Sequence, residues 1–150
     1  MGFCNSLDIV GSALTAERFR TDIITQNIAN EKTTMTESGE PYRRQQVVLQ
    51  ERAMTFKDEL SNAQGGGVRV AEVVESEREF TKVYDPTNPL ADENGYVTYS
   101  NVDTTEEMID LMAASNAYQA NLTALSVVKS MITKTFSHTE LRAKSYVEAL

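Results

Sequence analysis

The side chains that could support catalysis are few in this sequence. Cys4 is the single cysteine and His138 the single histidine, so a nucleophilic Cys–His pair would have to join opposite ends of the chain. No local signature surrounds either residue. We expect Cys4 to be a small residue at the entry of a helix and His138 to place charge near a helix C-terminus.

The acidic residues of the central region offer the next candidate chemistry, a metal site or a hydrolytic pair. Asp85, Asp92 and Glu93 cluster around predicted turns, but their spacing is not that of an EF-hand loop. A wall-degrading hydrolase could use Asp85 with Asp92 or Glu93, provided that a cleft raises the pKa of one carboxyl. Acidic turn residues more commonly accept hydrogen bonds from their own backbone. We expect this ordinary role, hence no catalytic residue, no metal and no cofactor.

Three further motifs have equally ordinary readings. Gly65-Gly66-Gly67 precedes neither Lys-Ser/Thr nor a helix, so a phosphate loop is not favoured. Residues 64–67 are instead predicted to form a flexible break. Asn121-Leu122-Thr123 matches a glycosylation sequon but falls inside a predicted helix. Tyr42-Arg43-Arg44 is expected to be a solvated strand edge rather than a basic patch.

Composition narrows the class of protein. The 150 residues carry a formal net charge of −8, which argues against nucleic acid or an anionic membrane as the main partner. Hydrophobic residues make up 41% of the chain and Trp is absent, so a single domain would have a lean core. The first eight residues lack a basic n-region and an unbroken apolar stretch. We expect a soluble protein without a cleaved secretory signal.

The longest predicted element is a helix over residues 103–136. A capping box of Thr104 and Glu107 is expected to start it, and neither Pro nor Gly interrupts it. Its apolar residues recur with the 3-4 spacing of a coiled-coil seam, so this helix needs a partner helix. The seam positions are Met108, Leu111, Ser115, Tyr118, Leu122, Leu125, Lys129, Ile132 and Phe136.

A second seamed helix is predicted over residues 6–30, with Asn5 or Ser6 as its cap. Neither helix can bury its apolar stripe alone, so the two are expected to pair. The seam positions are Leu7, Val10, Leu14, Glu17, Thr21, Ile24 and Ile28.

The middle of the chain has no helical period. β-branched and aromatic runs predict strands at residues 42–50, 68–74, 80–84 and 96–99, with a hairpin-type turn at Asn94-Gly95.

The predicted fold class is therefore α+β, with long terminal helices that pair as a coiled-coil-like layer and a small β-rich middle segment. We divide the chain into an N-terminal helix (1–30), the middle segment (31–102), a C-terminal helix (103–136) and a tail (137–150) that could form a further short helix.

Several phrases contain residues that the seams do not explain. In the helices they are residues 12–18, 22–30, 101–103, 107–108, 117–121 and 128–131. Together they resemble the rod and hook axial proteins of the bacterial flagellar basal body. The middle phrases Pro41-Tyr42-Arg43-Arg44, Gly67-Val68-Arg69-Val70, Val83-Tyr84-Asp85-Pro86 and Asn94-Gly95-Tyr96-Val97 are similar to those of the proximal rod proteins. The resemblance covers about residues 6–136, and the tail from Thr139 departs from it.

The resemblance implies a non-enzymatic subunit of the proximal rod, the drive shaft that transmits torque to the hook. It also implies export through the flagellar type III apparatus without a cleaved signal and assembly outside the inner membrane, in the periplasm or cell wall. The implied partners are copies of itself, sister rod proteins of the FlgB and FlgF types, and the FliE-type adaptor that seats the rod on the export ring. Nucleic acid and membrane insertion are not implied.

Assembly is expected to use the terminal helices, with the middle segment facing outward. The predicted interface residues are Leu7, Val10, Leu14, Ile24, Asn27, Ile28, Asn30, Met108, Leu111, Tyr118, Asn121, Leu122, Leu125 and Ile132. A generic helical adaptor protein would share the seams, and it stays as an alternative beside the hydrolase.

Overall fold

The computed structural model describes residues 2–53 and 66–148, with side chains over 5–53 and 66–139. The chain begins and ends with a long helix, and four short strands lie between them in the sequence. The predicted α+β class is confirmed. The elements in chain order are α1 (Gly2–Ala29), β1 (Gln45–Glu51), β2 (Val68–Glu75), β3 (Thr81–Tyr84), β4 (Tyr96–Tyr99) and α2 (Thr104–Glu148). None of the described helices is long and apolar enough to cross a membrane.

The two helices pack side by side and run antiparallel. Asn27, near the end of α1, hydrogen-bonds Glu107 in the first turn of α2. Arg20, two turns earlier on α1, pairs with Asp110 one turn further along α2 at 3.7 Å. Contacts at higher residue numbers of α2 thus fall at lower residue numbers of α1, as expected for antiparallel helices. We call this pair the two-helix layer.

Helix α2 is much longer than its partner. At 1.5 Å per residue, the 28 residues of α1 span about 42 Å and the 45 residues of α2 about 68 Å. Counting back from the Asn27–Glu107 contact, the start of α1 lies opposite about residue 132. The side chains at 133–139 are all exposed, as expected for a stretch with no α1 beside it.

Both helices extend beyond the bounds predicted from sequence. Helix α1 begins at Gly2 rather than at residue 6. Helix α2 runs on to Glu148 rather than ending near Phe136, so the expected break and new cap at Ser137 do not occur. The Ser137 hydroxyl instead donates to the Lys134 carbonyl within the same helix.

The start of α2 corrects the predicted capping box. The Asp103 carboxylate accepts hydrogen bonds from the Thr105 amide at 2.8 Å and the Glu106 amide at 3.4 Å, so Asp103 is the N-cap. The Thr104 hydroxyl is buried without a hydrogen-bond partner. Glu107 does not reach back to the cap, because its carboxylate is held elsewhere in the fold.

This geometry predicts unequal effects of two neighbouring substitutions. Hydrogen bonds from the Thr105 and Glu106 amides lower the pKa of Asp103, so its stabilising contribution is complete above the usual Asp range and is lost as the pH falls through the lowered pKa. Asp103→Ala should therefore lower the unfolding temperature near neutral pH, and the difference from wild type should shrink in acid. Thr104→Val, which removes an unpaired hydroxyl, should be neutral or mildly stabilising. Thermal melts at several pH values would contradict the assignment if Thr104→Val proved the more damaging change.

The strands form two antiparallel ribbons, β1 with β2 and β3 with β4. A register shift between Val48 and Leu49 marks a bulge in the first ribbon. In the second, Asn94-Gly95 closes a longer loop rather than a two-residue hairpin, and Gly95 has φ of 79°. The predicted role of the turn acids is confirmed for Asp85 and Asp92, which accept hydrogen bonds from backbone amides two residues ahead.

The β1–β2 ribbon is attached to α1 at a close backbone approach. Gly67 has φ of 84°, and a Cβ built there would lie 2.4 Å from the Ser12 hydroxyl oxygen. That hydroxyl accepts a hydrogen bond from the Val68 amide at 3.0 Å. The strand can approach the helix this closely because Gly67 has no side chain. Of the flexible break predicted for residues 64–67, residues 64 and 65 lie outside the described residues, while Gly67 lies against α1.

The apolar core is small, as the composition suggested. In the described part of the chain it consists of Ala16, Ile23, Ile24, Tyr42, Val97, Val102 and Ala114. Five polar or charged residues are buried beside it: Asn27, Arg44, Ser100, Asn101 and Glu107. Because buried polar groups must be paired to be tolerated, these residues mark the best-defined site in the fold.

Candidate functional site

The amide of Asn27 is the centre of a buried polar cluster, here called the polar clamp. The side chain is 1% exposed. Its oxygen accepts hydrogen bonds from the Tyr42 hydroxyl at 2.9 Å and the Gln45 amide at 3.0 Å. Its nitrogen donates to the Gln45 carbonyl at 2.8 Å and to Glu107 at 3.0 Å. All four hydrogen-bonding positions of the amide are filled, so α1, the entry to β1 and α2 meet at one residue.

Arg44 and Glu107 form the charged part of the polar clamp. Arg44 is 3% exposed and Glu107 is 0% exposed. The Arg44 Nε donates to one Glu107 oxygen, while the other oxygen accepts from Asn27. The Arg44 amide donates to the Asn101 side chain at 2.7 Å. Burial of both charges is tolerated because each has a partner of opposite sign and its polar atoms are hydrogen-bonded.

A half-exposed ring of charges surrounds this pair. The Arg44 guanidinium also reaches Asp110 at 2.9 Å and Glu106 at 3.3 Å. Arg78 donates to Glu106 at 2.6 Å and 3.2 Å, and this interaction lowers the pKa of the Glu106 carboxyl. With Arg20 near Asp110, the cluster holds three cations against three anions.

Tyr42 is the last member of the clamp. Burial raises the pKa of its hydroxyl, with smaller contributions from the charges of Glu107 and Glu75. The phenol therefore stays protonated and continues to donate to Asn27. The expectation that Tyr42-Arg43-Arg44 is a solvated strand edge is wrong. Strand β1 begins only at Gln45, since the side chains of Tyr42 and Arg44 turn into the helix layer.

The predicted interface residues fall into three exposure classes. Ile24 and Asn27 are buried within the fold. Met108, Tyr118 and Leu122 are exposed. Those partly exposed are Leu7, Val10, Leu14, Ile28, Asn30, Leu111, Asn121, Leu125 and Ile132.

Two of the predicted asparagines have local structural roles. Asn27 belongs to the polar clamp. Asn30 closes the end of α1, where its nitrogen donates to the Gln26 carbonyl and its oxygen accepts from the Thr33 hydroxyl. Both side chains are thus hydrogen-bonded within their own chain.

Most of the apolar members lie together on the side of the helix layer away from the strands. On α2, Glu106 faces the β ribbons through its contact with Arg78, and at 100° per residue Met108 and Leu122 lie about 160° around the helix from it. On α1, Ser12 faces β2 and Leu14 lies about 160° from it. We call this surface the open face. It comprises Val10, Leu14 and Ile28 of α1 and Met108, Leu111, Tyr118, Leu122 and Leu125 of α2. Leu7 instead lines the groove between α1 and β2.

The strip of α2 that packs against α1 is rotated from the predicted seam by roughly 60°. Its most buried members are Glu107 and Ala114. Small and polar residues form this contact because they let the two helices approach closely and join the polar clamp. The larger apolar residues are left toward the open face.

Among the described residues no group of three or more His, Cys, Asp or Glu could hold a metal ion. A groove with a volume of about 630 Å³ lies between α1 and the start of β2. Its walls include Asp8, Arg52 and Arg69 as well as apolar residues, without a nucleophile–base pair. The polar clamp joins the two helices to the strand region, and the helix layer leaves the open face exposed.

Comparisons with known proteins agree with this picture. Residues 93–137 match the family model described as flagellar basal body rod FlgEFG protein C-terminal. The chain is similar to the flagellar basal-body rod protein FlgC of Escherichia coli O6:H1, with 45% identity over 137 residues that cover 91% of this chain and 98% of that protein. The FlgC protein of Salmonella typhimurium is 44% identical with the same coverage. That of Bacillus subtilis is 41% identical over 140 residues, covering 87% and 93%.

Proposed function

Since the chain belongs to the FlgC family of flagellar basal-body rod proteins and is a structural subunit of the bacterial flagellar rod, we propose that it assembles through the open face of its two-helix layer. The proposal concerns how the subunit is used. Its helices join neighbouring subunits, its polar clamp fixes the β ribbons to them, and the resulting shaft belongs to the proximal rod and transmits torque to the hook.

The observation that carries the proposal is the exposure of large apolar side chains on one side of the helix layer. Met108, Tyr118 and Leu122 are 54%, 38% and 48% exposed, and the partly exposed Leu14 of α1 belongs to the same face. Single exposed apolar residues are ordinary, but a contiguous patch on a helix pair marks an interaction surface. Antiparallel helices with such a patch bury it against further helices.

The buried contacts of the polar clamp are suited to transmitting force between the strand region and the helices. Arg44 links the strand region to three acidic residues on two successive turns of α2, and Asn27 ties the same region to α1. Because Asn27, Arg44 and Glu107 are buried and paired, their separation would leave buried polar and charged groups without partners. We infer that the ribbons and helices move as one body when torque is applied.

Membership of the family supports a proposal about the partners. We propose that the open face meets copies of this chain, sister rod proteins of the FlgB and FlgF types, and a FliE-type adaptor at the export ring. The subunit belongs to the flagellum basal body. We further propose that it reaches a position outside the inner membrane through the flagellar type III export apparatus, without a cleaved signal.

We propose that the subunit has no enzymatic activity. The carboxylates considered for wall hydrolysis serve their own turns, with Asp85 accepting from the Thr87 amide and hydroxyl and Asp92 from the amides of Asn94 and Tyr96. Both groups are thereby held as acceptors of local hydrogen bonds.

The direct test is purification of hook–basal bodies from cells whose chromosomal copy carries an epitope tag. The tagged chain should co-purify with them, and cells lacking the chain should yield none and should not swim. Purified chain should leave peptidoglycan uncleaved. Normal hook–basal bodies in the deletion strain, or release of peptidoglycan fragments by pure protein, would contradict the proposal.

A further inference from the structure

Each apolar seam contains one charged residue. On α1 it is Glu17, and on α2 it is Lys129. The remaining interruptions, Thr21 and Ser115, are small and uncharged. A single charge in an apolar helix contact is costly unless a charge of opposite sign meets it, so each of the two needs an explanation.

Glu17 is partly buried, and its carboxylate has an oxygen without a partner among the described residues. That oxygen, Oε2, is itself buried. No ion pair to it forms within the part of the chain that the structure describes. The neighbouring Arg20 is directed away, toward Asp110. A carboxylate in this state gains from any cation brought to it.

Lys129 is the complementary group. Its side chain is exposed and forms no ion pair among the described residues. It occupies a seam position one turn beyond Leu125, at the same side of α2 as Leu122. It is the only cation along either seam.

Glu17 and Lys129 of one chain cannot reach one another. From the antiparallel contact of Asn27 with Glu107, Glu17 lies opposite about residue 117. Lys129 is therefore 12 residues further along α2, a separation of about 18 Å. This is several times the distance of an ion pair.

We propose that Glu17 of one subunit pairs with Lys129 of a second copy of this chain, and that this ion pair sets the axial register between neighbouring copies. The proposal rests on assembly through the open face. Apolar side chains on two such faces would tolerate several axial offsets. One charge in each seam, enclosed only when the subunits meet, permits a single favourable offset. The pair requires a stagger of about 18 Å between the two-helix layers.

Charge reversal tests the pair. Glu17→Lys and Lys129→Glu should each reduce the yield of hook–basal bodies by about tenfold or more, because like charges meet at the contact. The double variant Glu17→Lys/Lys129→Glu should restore the yield to within about twofold of wild type. Arg18→Glu and Lys134→Glu reverse charges next to the open face but outside the seams, and these control variants should assemble normally.

A cross-linking test gives the geometry directly. In a Cys4→Ser background, isolated rods of Glu17→Cys/Lys129→Cys treated with a short bismaleimide should yield cross-linked dimers and longer oligomers, because each chain carries both thiols. A cross-link within one chain is excluded because the two positions lie about 18 Å apart along the helices. The control pair Glu17→Cys/Lys134→Cys should give much less of this product.

These experiments distinguish failure of the proposed ion pair from failure of the proposed interface. Failure of the double variant to rescue assembly, or absence of the 17–129 dimer, would overturn the ion pair while leaving the open face as the interface. An acidic substitution on the open face that assembles normally would instead overturn the proposed function on which the pair depends.

Discussion

Replacing Arg44 with leucine is expected to lower the free energy of unfolding by about 3–5 kcal/mol. The substitution leaves Glu107, which is 0% exposed, without the guanidinium that faces its carboxylate. It also removes the contacts of Arg44 with Glu106 and Asp110. A loss of this size is a large part of the stability of a small domain, so the variant should populate unfolded chain at physiological temperature.

Urea unfolding followed by circular dichroism measures this effect. Arg78→Leu is the matched control, since Arg78 contacts the same turn of α2 through Glu106 but is exposed, and it should change the midpoint only slightly. The double variant Arg44→Leu/Glu107→Leu should recover part of the loss, because no unpaired buried charge remains. If Arg44→Leu were as mild as the control, the polar clamp would not hold the fold together.

Leu122→Asp is expected to abolish rod assembly while leaving the free subunit folded. Leu122 is 48% exposed, so an aspartate there stays solvated in the monomer and the unfolding midpoint should be close to that of wild type. In the rod, the same charge would be enclosed by apolar side chains of a neighbour, at a cost of several kcal/mol. Swimming and the yield of hook–basal bodies should both be lost.

Val127→Asp is the matched control for this prediction. Val127 lies on the same helix and is also 48% exposed, but at 100° per residue it lies about 140° around the helix from Leu122. It is therefore off the open face and should permit assembly. If both variants lost assembly equally, an acidic residue at any exposed position of α2 would block the rod, and the open face would not be distinguished as the interface. Normal assembly of Leu122→Asp would contradict the proposed interface.

The elements of the fold were predictable because their signals are local. The 3-4 spacing of apolar residues marks a helix wherever its partner lies, and β-branched runs placed β2 and β4 within one residue of their observed bounds. The helix ends were less predictable. Thr104 and Glu107 have the spacing of a capping box, but tertiary contacts draw Glu107 into the polar clamp and leave Asp103 as the cap.

The polar clamp was not predictable from local pattern, because its members are distant in the chain. Asn27 and Glu107 are 80 residues apart, and Arg44 and Glu107 are 63 apart. An arginine after a turn is usually exposed, and nothing in the neighbouring residues indicates its burial. The available signal was that the phrases containing Asn27, Arg44 and Glu107 could not be explained by the seams.

The face of α2 that meets α1 was also misjudged, for a physical reason. Large apolar residues repeat on a strip next to the contact, while Ala114 and Glu107 are the most buried residues of the contact itself. Periodicity alone cannot assign these strips to partners within the chain or outside it. The seam predicted from sequence was thus a mixture of both, with Leu111 and Leu125 at the border.

We propose that neighbouring subunits cover the open face in the rod. The reactivity of a thiol at position 122 tests this most directly. In a Cys4→Ser background, Leu122→Cys should react with a maleimide quickly in the free subunit, because the position is exposed. In isolated hook–basal bodies the same thiol should be protected. Equal labelling rates in the free subunit and in the assembled rod would contradict the account.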